Sequence, residues 1–257
     1  MFTGPNIVQE GLVLALDAAN PKSYPGTGTT WNDLVNSSTT LSLYNSPTYS
    51  TTNLGRIAFD TTDDYGEFNA KRSDLDFQPT DPFSVFVFHR SLSYDGAAII
   101  ANMESGGSYQ GWDLWQNTSS TMAMHLISSW STNAIKVGIN YDYSSRNGTD
   151  VYLGYTYDGS SPANSTDALN SVNFYINGEL ETSGKSLVSS PSGDGFNSTS
   201  ETTSYPISQR FRIGSRWGTG KQQGANPSLY TVQIYNRELT ASEVLQNYNA
   251  TKSRFGL

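Results

Sequence analysis

Four tryptophans carry the chemistry most easily read from this chain: Trp112, Trp115, Trp130 and Trp217. An indole face packs well against the C–H face of a sugar ring, leaving amides and carboxylates nearby to serve its hydroxyls. Trp112 and Trp115 sit three apart in "GWDLWQN". On a strand that spacing sends them to opposite faces, so at most one belongs to a core. Trp130 and Trp217 fall at strand ends beside loops, and Trp217 leads into the polar run "GTGKQQGANPS". Each ring has two readings, a ligand contact or a lid over core side chains.

Catalytic chemistry finds less support. Glu179 and Glu181 in "NGELET" would share a strand face about 7 Å apart, but they directly follow a turn and suit solvent-facing positions. His89 in "VFVFHRS" and His125 in "MAMHLIS" lie among apolar neighbours and suit structural roles. No Gly-x-Ser-x-Gly elbow and no phosphate-cradling loop occurs. The absence of cysteine removes disulfides, thiolate metal sites and cysteine nucleophiles. The expectation is a non-enzyme. A formal net charge of −8 opposes binding to a phosphate backbone, so no nucleic acid partner is expected. The apolar run at 12–16 is too short to cross a bilayer and follows no basic leader. Neither an export signal nor a membrane partner is therefore expected.

Strands must position these residues, because period-two alternation runs through most of the chain. "GLVLALDA" sets Leu12, Leu14 and Leu16 on one side, "RIAFD" alternates Ile57 and Phe59, and "DVYLGYTYD" gathers Val151, Leu153 and Tyr155. Asn177-Gly178 between two alternating arms predicts a type I′ hairpin, since that turn needs positive φ at both central positions. One segment has helical grammar. Thr240 and Glu243 form a capping box, with Leu239 placed to staple onto Val244. The stretches 20–54, 159–171 and 184–209 lack a sustained period and suit loops. Together these features predict an all-β chain: a single antiparallel β-sandwich or jelly roll over residues 1–257 with a short C-terminal helix.

Several segments, in order along nearly the whole chain, resemble one family. They are "GLVLALDAANPKSYPGTGTTWNDL", "IAFDTTDDYGEF", "DPFSVFVF", "YLGYTYDGS", "NFYINGEL", "FRIGSR", and the closing "TVQIYNREL" with "TASEVLQNYNATKSRFGL". The chain resembles the concanavalin A-like lectin/glucanase superfamily, in its LamG- and pentraxin-like branch. This implies a jelly roll whose final strand returns beside the first, with the terminal helix packed after it. The Glu-x-Asp-x-x-Glu signature of the superfamily's glucanases is missing. Thr61 and Thr62 stand where glycine is usual after Phe-Asp, and the stretches 159–171 and 184–209 are enlarged.

Relatives of this branch often hold calcium at a rim of the sandwich, so a structural calcium is a candidate cofactor. The resemblance points to Asp63 and Asp64 as ligands, with Asp142, Asn147 and Asp150 as a second set. Turn capping by Asp63 and Asp64 is the competing reading. The terminal segments most resemble LamG-like proteins of tailed bacteriophages. That implies a virion protein made in the host cytoplasm: a capsid decoration protein, or a tail fibre or spike module binding carbohydrate or a receptor. Its partners would be phage capsid or tail proteins, with glycans as candidate ligands. Copies of the chain covering exposed sheet edges would make a homo-oligomer.

Overall fold

The computed structural model describes residues 6–60, 62–91, 96–104, 109–130, 133–188, 196–197, 210–217 and 224–255. Strands dominate in chain order: β1 (Leu12–Asp17), β2 (Thr30–Asn32), β3 (Thr40–Tyr44), β4 (Thr48–Ser50), β5 (Arg56–Ala58) and β6 (Tyr65–Phe68). Next come β7 (Phe83–Arg90), β8 (Ala98–Met103), β9 (Gly111–Thr118), β10 (Thr121–Ser129), β11 (Asn133–Asn140) and β12 (Asp150–Tyr157). The last are β13 (Val172–Ile176), β14 (Glu179–Glu181), β15 (Ser186–Leu187), β16 (Phe196–Asn197), β17 (Arg212–Ile213) and β18 (Ser228–Tyr235). Helices are short: α1 (Tyr143–Arg146), α2 (Ser165–Ser171) and α3 (Ala241–Thr251).

Two antiparallel sheets result, the β-sandwich jelly roll that the alternation predicts. The eight-stranded sheet runs β14-β13-β12-β7-β18-β5-β4, with β1 also on β18. The ten-stranded sheet runs β15-β11-β10-β9-β8-β17-β6-β3-β2, with β16 also on β11. The final strand does return beside the first, pairing Leu16 with Val232. Inward-facing residues of both sheets, such as Val85, Val87, Leu153 and Tyr155 against Leu114 and Met124, form the main core. Asn177 and Gly178 have φ of 52° and 82°, as the predicted tight hairpin between β13 and β14 requires.

Four local expectations need correction. Leu12 leaves the face of Leu14 and Leu16, because the register of β1 shifts between Leu12 and Leu14 and turns it outward. Residues 20–54 hold β2, β3 and β4 instead of one loop. Strands of three to five residues are too short to show a period, yet Trp31, Leu41 and Leu43 still point into the core. Residues 159–171 contain α2, started by Asn164, whose side chain accepts the Asp167 N–H at 3.0 Å. The stretch 184–209 contains β15 and β16; its residues 189–195 and 198–209, like Thr61 and 218–223, lie outside the described residues.

The outer face of the eight-stranded sheet is sealed. Phe86, Phe88, Tyr152, Tyr230 and Tyr235 are buried there beneath Val244 of α3 and Phe255. The predicted capping box is present: Glu243 N–H donates to Thr240 Oγ1 at 3.3 Å, and Thr240 N–H donates to Glu243 Oε2 at 2.9 Å. Leu239 and Val244 share one apolar cluster, as a staple demands. Asn247, buried on α3, accepts the Val8 N–H at 2.8 Å and donates to the Tyr235 hydroxyl at 3.0 Å. Tyr235 in turn donates to Val8 O at 3.1 Å, so helix, last strand and N-terminal arm close a triangle.

Candidate functional site

Strand register lays three rows of side chains across the outer face of the ten-stranded sheet. The middle row is charged: Glu67 opposes Arg212, Arg212 opposes Ala101, Ala101 opposes Asp113, and His125 stands between Asp113 and Lys136. On one side, Met103, Gly111, Ile127 and Ala134 form an apolar row. On the other, Tyr44 opposes Tyr65, and further along Trp115 lies between Ala98 and Ala123. Small residues give the face its room. A side chain at Gly111 would collide with the Asn102 carbonyl, and its φ of +130° also favours glycine.

Aromatic side chains from four separate segments fill that room. Tyr109, Trp115, Trp130 and Trp217 are half-buried and pack over Ala98, Ala101, Met103, Ile127 and Ala134. Tyr109 lies 4.9 Å from the Trp217 ring and meets Trp130 edge-on at 5.4 Å. The Arg216 guanidinium sits among all of them, 4.5 Å from Trp115, 5.2 Å from Trp217, 5.3 Å from Trp130 and 5.5 Å from Tyr109. Lys136 Nζ is 4.2 Å from the Trp130 ring centre and donates to Trp130 O at 3.2 Å. The cluster therefore carries its own cations, which the ring faces attract.

Beneath the rings the charges are paired. Arg216 Nε is 2.9 Å from Asp113 Oδ2, and His125 Nδ1 is 3.0 Å from Asp113 Oδ1. Arg216 and His125 are 3 % and 2 % exposed, and Asp113 is fully enclosed, so solvent does little to screen them. Burial raises the pKa of an acid, but Arg216 and then His125 outweigh it and hold Asp113 below its ordinary value. Burial pulls the His125 pKa down, against the opposing pull of Asp113. Glu67 accepts from Arg212 and, at 3.0 Å, from Arg210. The Arg212 guanidinium also covers the Tyr65 ring at 5.0 Å and donates to Trp217 O at 3.2 Å.

The sequence-derived candidates separate clearly. Trp115, Trp130 and Trp217 come together. Trp112 does not: it is fully buried between the sheets, its Nε1 donating to Leu75 O at 2.8 Å, and it cannot meet an outside ligand. Asp63 and Asp64 are joined by Asp60, with carboxylate oxygens within 4.8 Å of one another. Those donors suit a hard cation. Yet Asp60 Oδ1 accepts N–H groups from Thr62, Asp63 and Asp64 at 2.9–3.1 Å, and Asp64 Oδ2 accepts the Asp60 N–H at 2.9 Å. These bonds hold the turn, as the capping reading expects.

The second metal set serves local structure. Asp142 caps α1 through Ser144 and Ser145, Asn147 ends that helix, and Asp150 takes Arg90 at 3.0 Å and the Tyr230 hydroxyl at 2.9 Å. Sequence reasoning missed Tyr109, Arg216 and Asp113. The signal for Asp113 was present, since a charged residue between two tryptophans on a buried strand needs a partner. Nothing in the sequence pairs it with Arg216.

No protein-family model and no curated protein matches the sequence. Solved structures do resemble it in fold. The binding domain of botulinum neurotoxin DC in complex with rat synaptotagmin II aligns with a TM-score of 0.60 and 12% identity, over 94% of this chain and 52% of that one. The same toxin domain in complex with SialylT gives 0.61 and 11%, again over 94% and 52%. Trypanosoma rangeli sialidase in complex with sialic acid gives 0.59 and 14%, over 98% and 35%. The chain thus spans about half the length of the toxin domains and about a third of the sialidase. At such identities the likeness is one of fold: a β-sandwich.

Proposed function

We propose that this chain is a non-catalytic recognition module that binds carbohydrate through the aromatic cluster on its ten-stranded sheet. One observation carries the reading: Tyr109, Trp115, Trp130 and Trp217 converge, half-buried, on one sheet face. Half-exposed rings offer flat apolar area with polar edges, the combination that sugar faces need. The toxin domains of similar fold are binding domains, one of them in complex with SialylT, which supports a binding role. A catalytic alternative finds no ready group here, because Asp113 is held by Arg216 and His125. A glycan array probed with the chain and with Trp115→Ala tests the reading. Binding to a defined glycan class, weakened at least about tenfold by loss of one central ring, is expected. A folded native chain that binds no glycan overturns it.

The finer setting follows from the resemblance of the terminal segments to phage LamG-like proteins. In this reading the module belongs to a tailed-phage particle, as a capsid decoration protein docked on the shell with its aromatic face outward. A tail fibre or spike module is the alternative setting. Quantitative mass spectrometry of purified particles separates them, since hundreds of copies favour decoration and a few favour a fibre or spike. Absence from particles removes both.

A further inference from the structure

A second pair of rings lies on the same sheet face, away from the tryptophan cluster. Tyr44 and Tyr65 are directly opposed on β3 and β6, stacked with ring centres 4.6 Å apart and planes within 7°. The other side of Tyr65 is covered by Arg212, while Tyr44 is 38 % exposed. Cross-strand aromatic pairs do stabilise sheets. This pair has a feature beyond that role, which is its register. Gly66 opposes Ile213, so Gly214 follows beside Tyr65, and the Gly214 N–H donates to Ile99 O at 3.0 Å. The next outward residue on β8 is Ala98, which opposes Trp115. Tyr44, Tyr65 and Trp115 therefore stand in one row, and between them lie Ala98 and two glycines, Gly214, whose Cβ position faces inward toward Phe59, and Gly224, which bridges to Ala98.

Four strand steps separate Tyr44 from Trp115, from β3 through β6, β17 and β8 to β9. At ~4.8 Å per step the two stations are roughly 19 Å apart. We propose that Tyr44 and Tyr65 form a second sugar-contacting station, so that the ligand is an uncharged, linear polysaccharide lying across the strands from Tyr44 to the tryptophan cluster. This rests on the carbohydrate-binding reading above and specifies its ligand. Shape favours a chain-like occupant over a protein partner, because a row one residue wide falls well short of the ~800 Å² per side of a standard protein interface. Charge favours a neutral polymer. Arg212, Arg216 and Lys136 are 1–4 % exposed beneath or beside rings, and the exposed Arg210 is paired with Glu67 at 3.0 Å. The chain as a whole carries −8, and Asp60, Asp63 and Asp64 lie just before Tyr65.

Binding of the full chain to an array of neutral and acidic linear polysaccharides, followed by a length series of the best-bound polymer, tests this. Neutral polymers should bind best, with affinity rising from the disaccharide until the oligomer spans both stations. Tyr44→Ala should weaken the polymer about tenfold, the size of one good ring contact, and leave the disaccharide unchanged. Tyr44→Thr, which keeps a strand-forming residue, should do the same, and its cooperative melting well above the assay temperature excludes misfolding as the cause. Preference for acidic polymers, affinity independent of length, or polymer binding indifferent to Tyr44 overturns the proposal while leaving the tryptophan site intact. No binding to any glycan removes the proposal together with the reading beneath it.

Discussion

The two outer faces of this sandwich solve the same problem in opposite ways. Each sheet must do something with the side chains that point away from the shared core. On the eight-stranded sheet, Phe88 packs 3.9 Å from Phe255, with Tyr152 and Tyr230 about it, and α3 closes over them. Part of the polar surface there is matched within the chain, as when the Tyr152 hydroxyl donates to Gln233 Oε1 at 3.0 Å. On the ten-stranded sheet, a row of charges is buried under rings that stay half-exposed. Apolar burial rewards sealing a face, roughly 1.5–3 kcal/mol for each large side chain fully enclosed. A face that leaves four large rings in partial contact with water forgoes part of that gain. On the proposed reading, one face serves stability and the other recognition.

The largest test sets one substitution on each face against the other. Asp113→Ala leaves the Arg216 guanidinium buried without its carboxylate, and breaking such a pair costs about 3–5 kcal/mol. Phe88→Ala removes a ring from a closed cluster at a cost of about 3–5 kcal/mol. Urea unfolding should show both losses. The assignment predicts different consequences for recognition: in the folded state Phe88→Ala should bind glycan normally, and Asp113→Ala should not, because Arg216 no longer fixes the rings. Equal binding by both variants would break the comparison.

How much of this contrast was legible depends on the kind of residue that carries it. The sealed face was largely readable, because α3 announces itself locally: Thr240 and Glu243 are three apart and Leu239 and Val244 flank them. The two sheets and the Asn177-Gly178 turn were readable for the same reason. The ring cluster was half readable. Trp115, Trp130 and Trp217 attract notice by type, but their meeting depends on strand order, which places β8 between β9 and β17. Asp113 and Arg216 are 103 positions apart in sequence, and no local pattern links them. Leu12 shows the converse failure, since one bulge reverses an alternation that looked continuous.

The two histidines extend the comparison to pH. His125 has Asp113 as a partner, whereas His89, between the sheets, has an enclosed Nε2 with no hydrogen-bond partner among the described residues. Burial pushes the His89 pKa down from 6.5 to about 4. The unfolded chain therefore takes up a proton below pH 6.5 that the folded chain refuses. The contribution to stability is full above that pH, declines between 6.5 and 4, and is gone below 4. The gap corresponds to about 3 kcal/mol. His89→Leu should flatten this part of the pH–stability curve, measured as the difference from the native chain in urea at pH 7 and pH 4. A pH profile indifferent to His89→Leu would show that the imidazole is solvated in the native state.

The smallest effect tests whether the sealed face is a unit. Thr240→Ala removes one half of the capping box, a loss of about 1 kcal/mol at a helix N-terminus. Glu243 would remain, because its main partner is Arg237, which donates to Oε1 at 2.6 Å and is the first cause of a carboxyl pKa lowered to about 2. Since that pKa lies below the ordinary 4.5, the carboxylate's contribution holds above pH 4.5 and is lost as the pH falls toward 2. The substitution should therefore lower the melting temperature slightly at neutral pH, with the Arg237–Glu243 pair still guiding the chain into α3. Glycan affinity should not move, because α3 lies across the sandwich from the rings. A change in affinity from so mild a loosening of the clasp would mean that the two faces are coupled through the core, and that stability and recognition do not divide between them.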